Sequence, residues 1–150
     1  MPTQIRLDQA VQQVLAAAHQ RIADAAETLG IVESRVGVLG RNQLQAPGLA
    51  VTSPSGQATQ HRALHESWEI PLEVWSVVQT EDTGGEVEAV LLALHGRSIV
   101  RGDRTLSLPF VEDVQSADYE ALGAQSSGRR VLARARLTVR IAIVEPDQET

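Results

Sequence analysis

The stretch Gly128–Val144, G-R-R-V-L-A-R-A-R-L-T-V-R-I-A-I-V, constrains this chain more than any other. Side chains of a strand alternate between its two faces. Val131, Ala133, Ala135, Leu137, Val139, Ile141 and Ile143 therefore share one face, and Arg130, Arg134, Arg136, Thr138 and Arg140 the other. One face is written for a core and the other for negative charge. Strands commonly run about 5 or 6 residues, and this alternation continues from Arg129 to Ile143 without a break. A strand of that length either bends or outruns the core of a small domain.

A second long strand is expected from about Arg62 to Val78. Leu64, Trp68, Ile70, Leu72, Val74 and Val78 lie on one face, and His65, Ser67, Glu69, Glu73 and Trp75 on the other. Pro71 interrupts it; proline cannot donate to a ladder, so an edge position or a bulge is expected there. If the two long strands pair antiparallel, Glu69 and Glu73 fall near Arg134, Arg136 or Arg140. Opposite charges across a strand pair contribute roughly 0.2–1 kcal/mol each.

Between and before these strands the period changes. Leu7, Val11, Val14, Leu15, Ala18, Ile22, Ala25, Ala26 and Leu29 follow the spacing of one helix face, and Gly30 is placed to end that helix in a left-handed cap. Thr83-Gly84-Gly85-Glu86 has the form of a capping box before a short helix. Its stripe reads Val87, Val90, Leu91 and Leu94, with His95-Gly96 closing it. Short strands are expected at Val36–Leu39 and Leu49–Thr52, the second ended by the turn residues Ser53-Pro54-Ser55-Gly56. Arg101-Gly102-Asp103 reads as a turn and Thr105–Val114 as a third strand, with Leu106, Leu108, Phe110 and Val114 inward. A long loop is expected at about 41–60 and a flexible hairpin tip at about 118–128. Two amphipathic helices on one face of a mostly antiparallel sheet of long strands make an α+β fold in a single domain spanning residues 1–150.

Composition narrows the chemistry. At 150 residues the chain buries enough surface to fold without staples, and it has no cysteine for a disulfide, a thiolate nucleophile or a metal site. A formal charge of −6 argues against a general nucleic-acid binder. No apolar run approaches the ~18 residues of a membrane span, and no signal peptide is visible at the N-terminus. Four aromatic residues, Trp68, Trp75, Phe110 and Tyr119, are few for a deep cofactor pocket.

No candidate for catalysis, cofactor or metal binding emerges. His61 and His65, four residues apart on a strand, stand roughly 13 Å from one another, too far to share a metal. His95 is explained by a helix C-terminus. Arg101-Gly102-Asp103 spells an integrin-binding tripeptide, but three residues carry little specificity and make a natural polar turn. Glu66, Glu69 and Glu73 read as the solvated side of a sheet rather than paired catalytic acids. Phosphate-binding, dinucleotide-binding, nucleophile-elbow and zinc-protease motifs are all missing. Two readings of the arginine row stand: a strand face neutralised by neighbouring glutamates, or bidentate bonds to carboxylates of another subunit.

The order of these segments resembles a known family. It runs from a long N-terminal amphipathic helix and V-G-V-L, through I-P-L-E-V-W-S into E-V-E-A-V-L-L-A-L, then L-S-L-P-F-V-E-D-V and the final G-R-R-V-L-A-R-A-R-L. From about Leu7 to Val144 this is similar to the tail-terminator, or tail-completion, proteins of long-tailed bacteriophages and gene-transfer particles. The resemblance implies a non-catalytic virion protein, free in the host cytoplasm during assembly. It implies a homo-oligomeric ring, six-fold in the family, on the head-proximal end of the tail tube. Such a ring stops tube growth, meets the head-completion or connector protein, and lets DNA pass without specific binding, with no cofactor and no membrane. A negative lumen suits such passage, so arginine in place of lumen-facing acids is expected to slow DNA ejection.

Subunit contacts are then expected at the loop and hairpin, with Arg41, Gln43, Gln57, Gln60, Asp118, Tyr119, Glu120, Arg129 and Arg130 as candidates. Glu69, Glu73, Arg134, Arg136 and Arg140 are candidates for charge pairs within or between chains. A head–tail connector or tail-tube subunit is the neighbouring alternative, and a small bacterial ligand-binding or enzymatic α+β domain the alternative of another class.

Overall fold

The computed structural model describes residues 3–36, 46–53, 59–60, 67–79, 85–124 and 130–144. After a short strand β1 (Thr3–Gln4), helix α1 spans Leu7–Asp24 and buries Ala10, Val11, Val14, Ala18 and Ile22, the row that the spacing marks out. The helix pauses at Ala25 and resumes as the single turn α2 (Ala26–Leu29), which Gly30 ends at φ 68°. Glycine meets no Cβ penalty there. Strands β2 (Glu33–Val36), β3 (Gly48–Thr52), β4 (Thr59–Gln60) and β5 (Ser67–Gln79) follow, then α3 (Gly85–Arg101), β6 (Val111–Ala124) and β7 (Arg130–Val144).

The described strands form one sheet with β7 as its hub. On one side β7 pairs with β5 in unbroken antiparallel register from Ser67↔Ala142 to Gln79↔Arg130. On the other it pairs antiparallel with β6 and, at its end, parallel with β1. The far side of β5 carries β3 and β4, and β2 lies parallel outside β3. Because β5 and β6 are both antiparallel to β7, they run parallel to one another with β7 between them, a split β-α-β unit with α3 as its crossover.

Both long helices cover the same face. Ile70, Leu72 and Val74 of β5 and Leu137, Val139, Ile141 and Ile143 of β7 meet α1 in the main core, which Leu106, Phe110, Val111 and Val114 close. Val78, Val131, Ala133 and Ala135 meet Ala89 and Ala93 of α3. The buried hydroxyl of Ser76 donates to the Ala89 carbonyl at 2.6 Å, tying helix to sheet. The mostly antiparallel α+β arrangement expected from the sequence is the observed one.

Several local expectations are overturned. Pro71 sits neither on an edge nor at a bulge, since β5 is central and its ladder with β7 passes through Pro71↔Thr138. On its other side, among the described residues, β3 reaches only to Glu73 and β4 begins at Glu69, so Pro71 faces the gap between them. The hydroxyl of Ser53 donates to the Pro71 carbonyl from that gap, at 2.9 Å. A residue's N–H and C=O leave a strand on the same side, so the missing donor points where no ladder bond is required.

Helix α3 does not close at Gly96 but continues to Arg101, carrying Ile99 and Val100. It seats Gly85, Ala89, Ala93, Gly96 and Val100 on the sheet, while Val87 and Leu91 stay 65% and 49% exposed. The third strand begins at Val111, not Thr105, because residues 103–111 coil through successive i to i+3 bonds, among them Leu108 N–H to Thr105 O at 2.9 Å. Residues 118–124 of the expected flexible tip belong to β6. The short strand expected at Leu49–Thr52 is present as β3, and the region 41–60 also holds β4; a short strand not expected before Val36 occupies Glu33–Val36, while residues 37–39 of the expected first short strand lie outside the described residues. Thr83 and Gly84 of the capping box and residues 62–66 of the expected second strand lie outside the described residues.

Candidate functional site

The face of the sheet away from the helices carries a ladder of charge set by strand register. Glu69 lies opposite Arg140, Glu73 opposite Arg136, and Trp75 opposite Arg134. The Glu73 carboxylate, only 8% exposed, accepts from Arg134 at 3.1 Å and lies 3.6 Å from Arg136. The Trp75 indole N–H donates to the same carboxylate at 3.1 Å, and the Arg134 guanidinium stands 5.5 Å from the Trp75 ring centroid. Arg140 reaches Glu69 at 3.5 Å. Arg136 completes the row by a two-oxygen contact with Asp118 of β6, at 3.0 and 3.1 Å. All five residues expected to pair, Glu69, Glu73, Arg134, Arg136 and Arg140, are thus joined within the chain. These contacts are the ones that the reading as a self-neutralised strand face expects.

Asp118 was expected at a subunit contact; it is exposed but engaged by Arg136. That hydrogen bond holds its carboxyl below the ordinary aspartate range and pushes the Arg136 guanidinium up. Tyr119 is 56% exposed beside it. Arg130 begins β7, paired in register with Gln79. Gln60 and Glu120 are described only through the backbone of β4 and β6. Arg41, Gln43, Gln57 and Arg129 lie outside the described residues.

The tripeptide Arg101-Gly102-Asp103 is not a free loop. The Asp103 carboxylate accepts from the Arg21 guanidinium and from the Ser107 hydroxyl at 3.1 Å, and it takes the Thr105 N–H at 3.3 Å. Arg21 donates also to Ser107 at 2.7 Å. Burial pushes Asp103 up, but the bonds from Ser107 and Thr105 and the Arg21 charge outweigh it, so its pKa is lowered. This cluster holds Leu106 and Ser107 at φ 51° and 56°, a backbone region L-residues rarely occupy, and thereby turns Leu106 into the core.

Outside β6 lies an open groove of about 620 Å³, lined by Arg101, Arg104, Asp113, Val114, Gln115 and Ser116. Arg104 approaches Asp113 at 3.4 Å across it. Bonds from the Gln115 side chain and the Val114 N–H lower the Asp113 pKa, as the Arg104 charge does. Arg97, missed as a structural residue in the sequence, reaches from α3 to the carbonyls of Ala117 and Asp118 at 2.6 and 3.2 Å. It fastens the helix to the outer strand. The small-residue spacing of Gly85, Ala89, Ala93 and Gly96 is the signal that could have placed that helix face.

No known family's sequence model matches the chain, and no curated protein matches it significantly in sequence.

Because the carboxyls of Asp103, Asp113 and Asp118 bind protons less readily folded than unfolded, the stability they contribute is present above the unfolded value of about 3.9 and lost as pH falls through their lower folded values. Melting temperature is expected to fall on acidification below about pH 4. Asp118→Asn is expected to make that fall shallower in thermal melts across the acid range; an unchanged slope would remove Asp118 from the account.

Proposed function

We propose that this chain is a ring-forming structural subunit of a phage-type tail, seated at the head-proximal end of the tail tube. There it terminates the tube and offers the head-joining surface. The observation that carries the reading is that the described strands form a sheet with two unlike outer strands, the four-residue β2 and the fourteen-residue β6. A ring closed by head-to-tail contacts needs two different complementary patches on each subunit. Along β6, three register shifts and the charges of Glu112, Asp113 and Asp118 discourage indiscriminate edge pairing. That favours a defined contact over open-ended stacking. The internally matched charge ladder supports the same reading, because it leaves a rigid face without a demand for a ligand. The resemblance in segment order, from the N-terminal helix to the basic last strand, supplies the place in the tail.

The test is negative-stain imaging of the purified chain mixed with tail tubes assembled from the tube protein of the same genome. The expected result is density at one tube end and tubes that stop growing after addition. Bare ends and unaltered growth would end the terminator reading. A rise in melting temperature with a small molecule, and no tube binding, would favour a ligand-binding domain instead.

A further inference from the structure

The outer edge of β6 is closed at one point by the chain itself. Among the described residues no strand pairs with that edge. The Ala142 N–H bonds to the Phe110 carbonyl, so Ala142, Arg140 and Thr138 turn their backbone groups toward β6. Val139 and Leu137 turn theirs the other way, toward β5. Val114 and Ser116 lie opposite these two, and their own N–H and C=O groups therefore point outward. The outward Val114 N–H donates to the Asp113 carboxylate at 2.9 Å, and the Gln115 amide donates to its other oxygen at 3.3 Å. Asp113 thus fills the place that the carbonyl of a further strand would take.

The groove beside this edge holds more donors than that carboxylate uses. Arg104, whose side chain is 79% exposed, only approaches Asp113, at 3.4 Å. Arg101, exposed at the end of α3, makes no ion pair among the described residues. Gln115 and Ser116 are exposed as well. Two guanidiniums, an amide and a hydroxyl thus line the groove against a single acid, in a chain of formal charge −6.

We propose that the edge of β6 at Val114–Ser116 is a docking site for an extended acidic segment of a partner protein, which adds there as a further strand. The argument for that occupant is charge complementarity, together with Asp113. The chain's own carboxylate already rests on the donors at this edge, which shows that they are placed to hold one. Arg101 is the donor left over, and its planar fork matches a carboxylate in two parallel bonds. A basic segment would set like charges together. In strand addition the main-chain bonds supply affinity and the side-chain contacts supply choice. A carbonyl of the incoming segment replaces Asp113 on the Val114 N–H, the backbone of Ser116 continues the ladder, and an acid of the segment takes Arg101. Asp113 keeps Gln115 and Arg104. The site uses only β6, the end of α3 and the turn after it, and it stands whether or not the ring reading holds.

The test is titration of the full chain, followed by backbone amide NMR, with a blocked heptapeptide of alternating threonine and glutamate. The same peptide with lysine for glutamate is the control. The glutamate peptide is expected to move the amide signals of Val114, Gln115 and Ser116 saturably, and the lysine peptide to leave them in place. Arg101→Glu is expected to weaken the glutamate peptide about tenfold or more and to admit the lysine peptide. Asp113→Asn, which removes the competing charge and keeps an acceptor for the Val114 N–H, is expected to bind the glutamate peptide several-fold more tightly; a merely structural Asp113 would not raise affinity. Arg101 is exposed, so a folded variant is expected, with circular dichroism as the check for both. Signals that do not move, equal shifts with both peptides, or an Arg101→Glu chain that binds the glutamate peptide like the wild type overturns the proposal. So does inorganic phosphate that moves the same signals at equal concentration, which would make the groove a site for a small anion and not for a strand. The titration contains no tube, so its failure leaves the terminator reading to its own test.

Discussion

Gly96→Val is expected to destabilise the fold by about 3 kcal/mol, the upper end for forcing extra groups into a packed core. A Cβ at this position would stand 3.0 Å from Val74 Cγ1 and 3.2 Å from Leu49 Cδ1. Both neighbours are fully buried and have no room to retreat. Valine adds two further carbons in one favoured helix rotamer, so α3 would have to lift from the sheet along its whole length. Lifting it would also stretch the Ser76 bond to Ala89. Gly96→Ala is the informative contrast. Alanine in a helix interior gains up to about 1 kcal/mol over glycine, and the single close methyl offsets much of that, so a change near zero is expected. Urea unfolding of both variants measures the difference. Wild-type stability in Gly96→Val would mean that α3 does not rest on β3 and β5 as described.

That glycine also shows where sequence reasoning stops. The alternation of β7 was legible residue by residue, because burial on one face and charge on the other leave a period-two record that no neighbour can erase. Helix α1 was legible for the same reason, its apolar row being made of large side chains. Helix α3 was not: large aliphatic residues define an amphipathic stripe, yet the face that approaches the sheet most closely must be small. Val87 and Leu91 outweighed Gly85, Ala89, Ala93 and Gly96 in the pattern and proved to be the outer face. Residues 105–110 failed differently. Leu106, Leu108 and Phe110 alternate like a strand and do turn inward, but Asp103 bonds to its own chain two and four residues on, and those short-range bonds decide the backbone. The charge ladder was legible as partners because register follows from pairing β5 with β7. The contribution of Asp118 was not, since it requires β6 to run past the point where its composition turns polar.

Glu73→Ala is expected to cost about 2 kcal/mol, and Glu69→Ala no more than about 0.5 kcal/mol, although both acids answer the same row of arginines. Position in the sheet makes the difference. Glu73 is nearly inaccessible and receives Arg134, Arg136 and the Trp75 N–H, so its removal strips a shared acceptor from three donors at once. Glu69 is a third exposed and meets Arg140 at 3.5 Å, where water can replace it. Breaking a fully buried pair costs about 3–5 kcal/mol. The smaller figure for Glu73 reflects arginine side chains that remain 24% and 34% exposed. Glu73→Gln keeps an acceptor for Trp75 and removes the charge, so it is expected to fall between wild type and alanine. A double-mutant cycle between Glu73 and Arg134 is expected to give a larger coupling than one between Glu69 and Arg140. The same variants separate the two original readings of the arginine face. If Glu73→Ala lowers stability and leaves assembly on tube ends intact, the ladder is internal scaffolding; if stability is unchanged and assembly fails, the arginines answer to a neighbour.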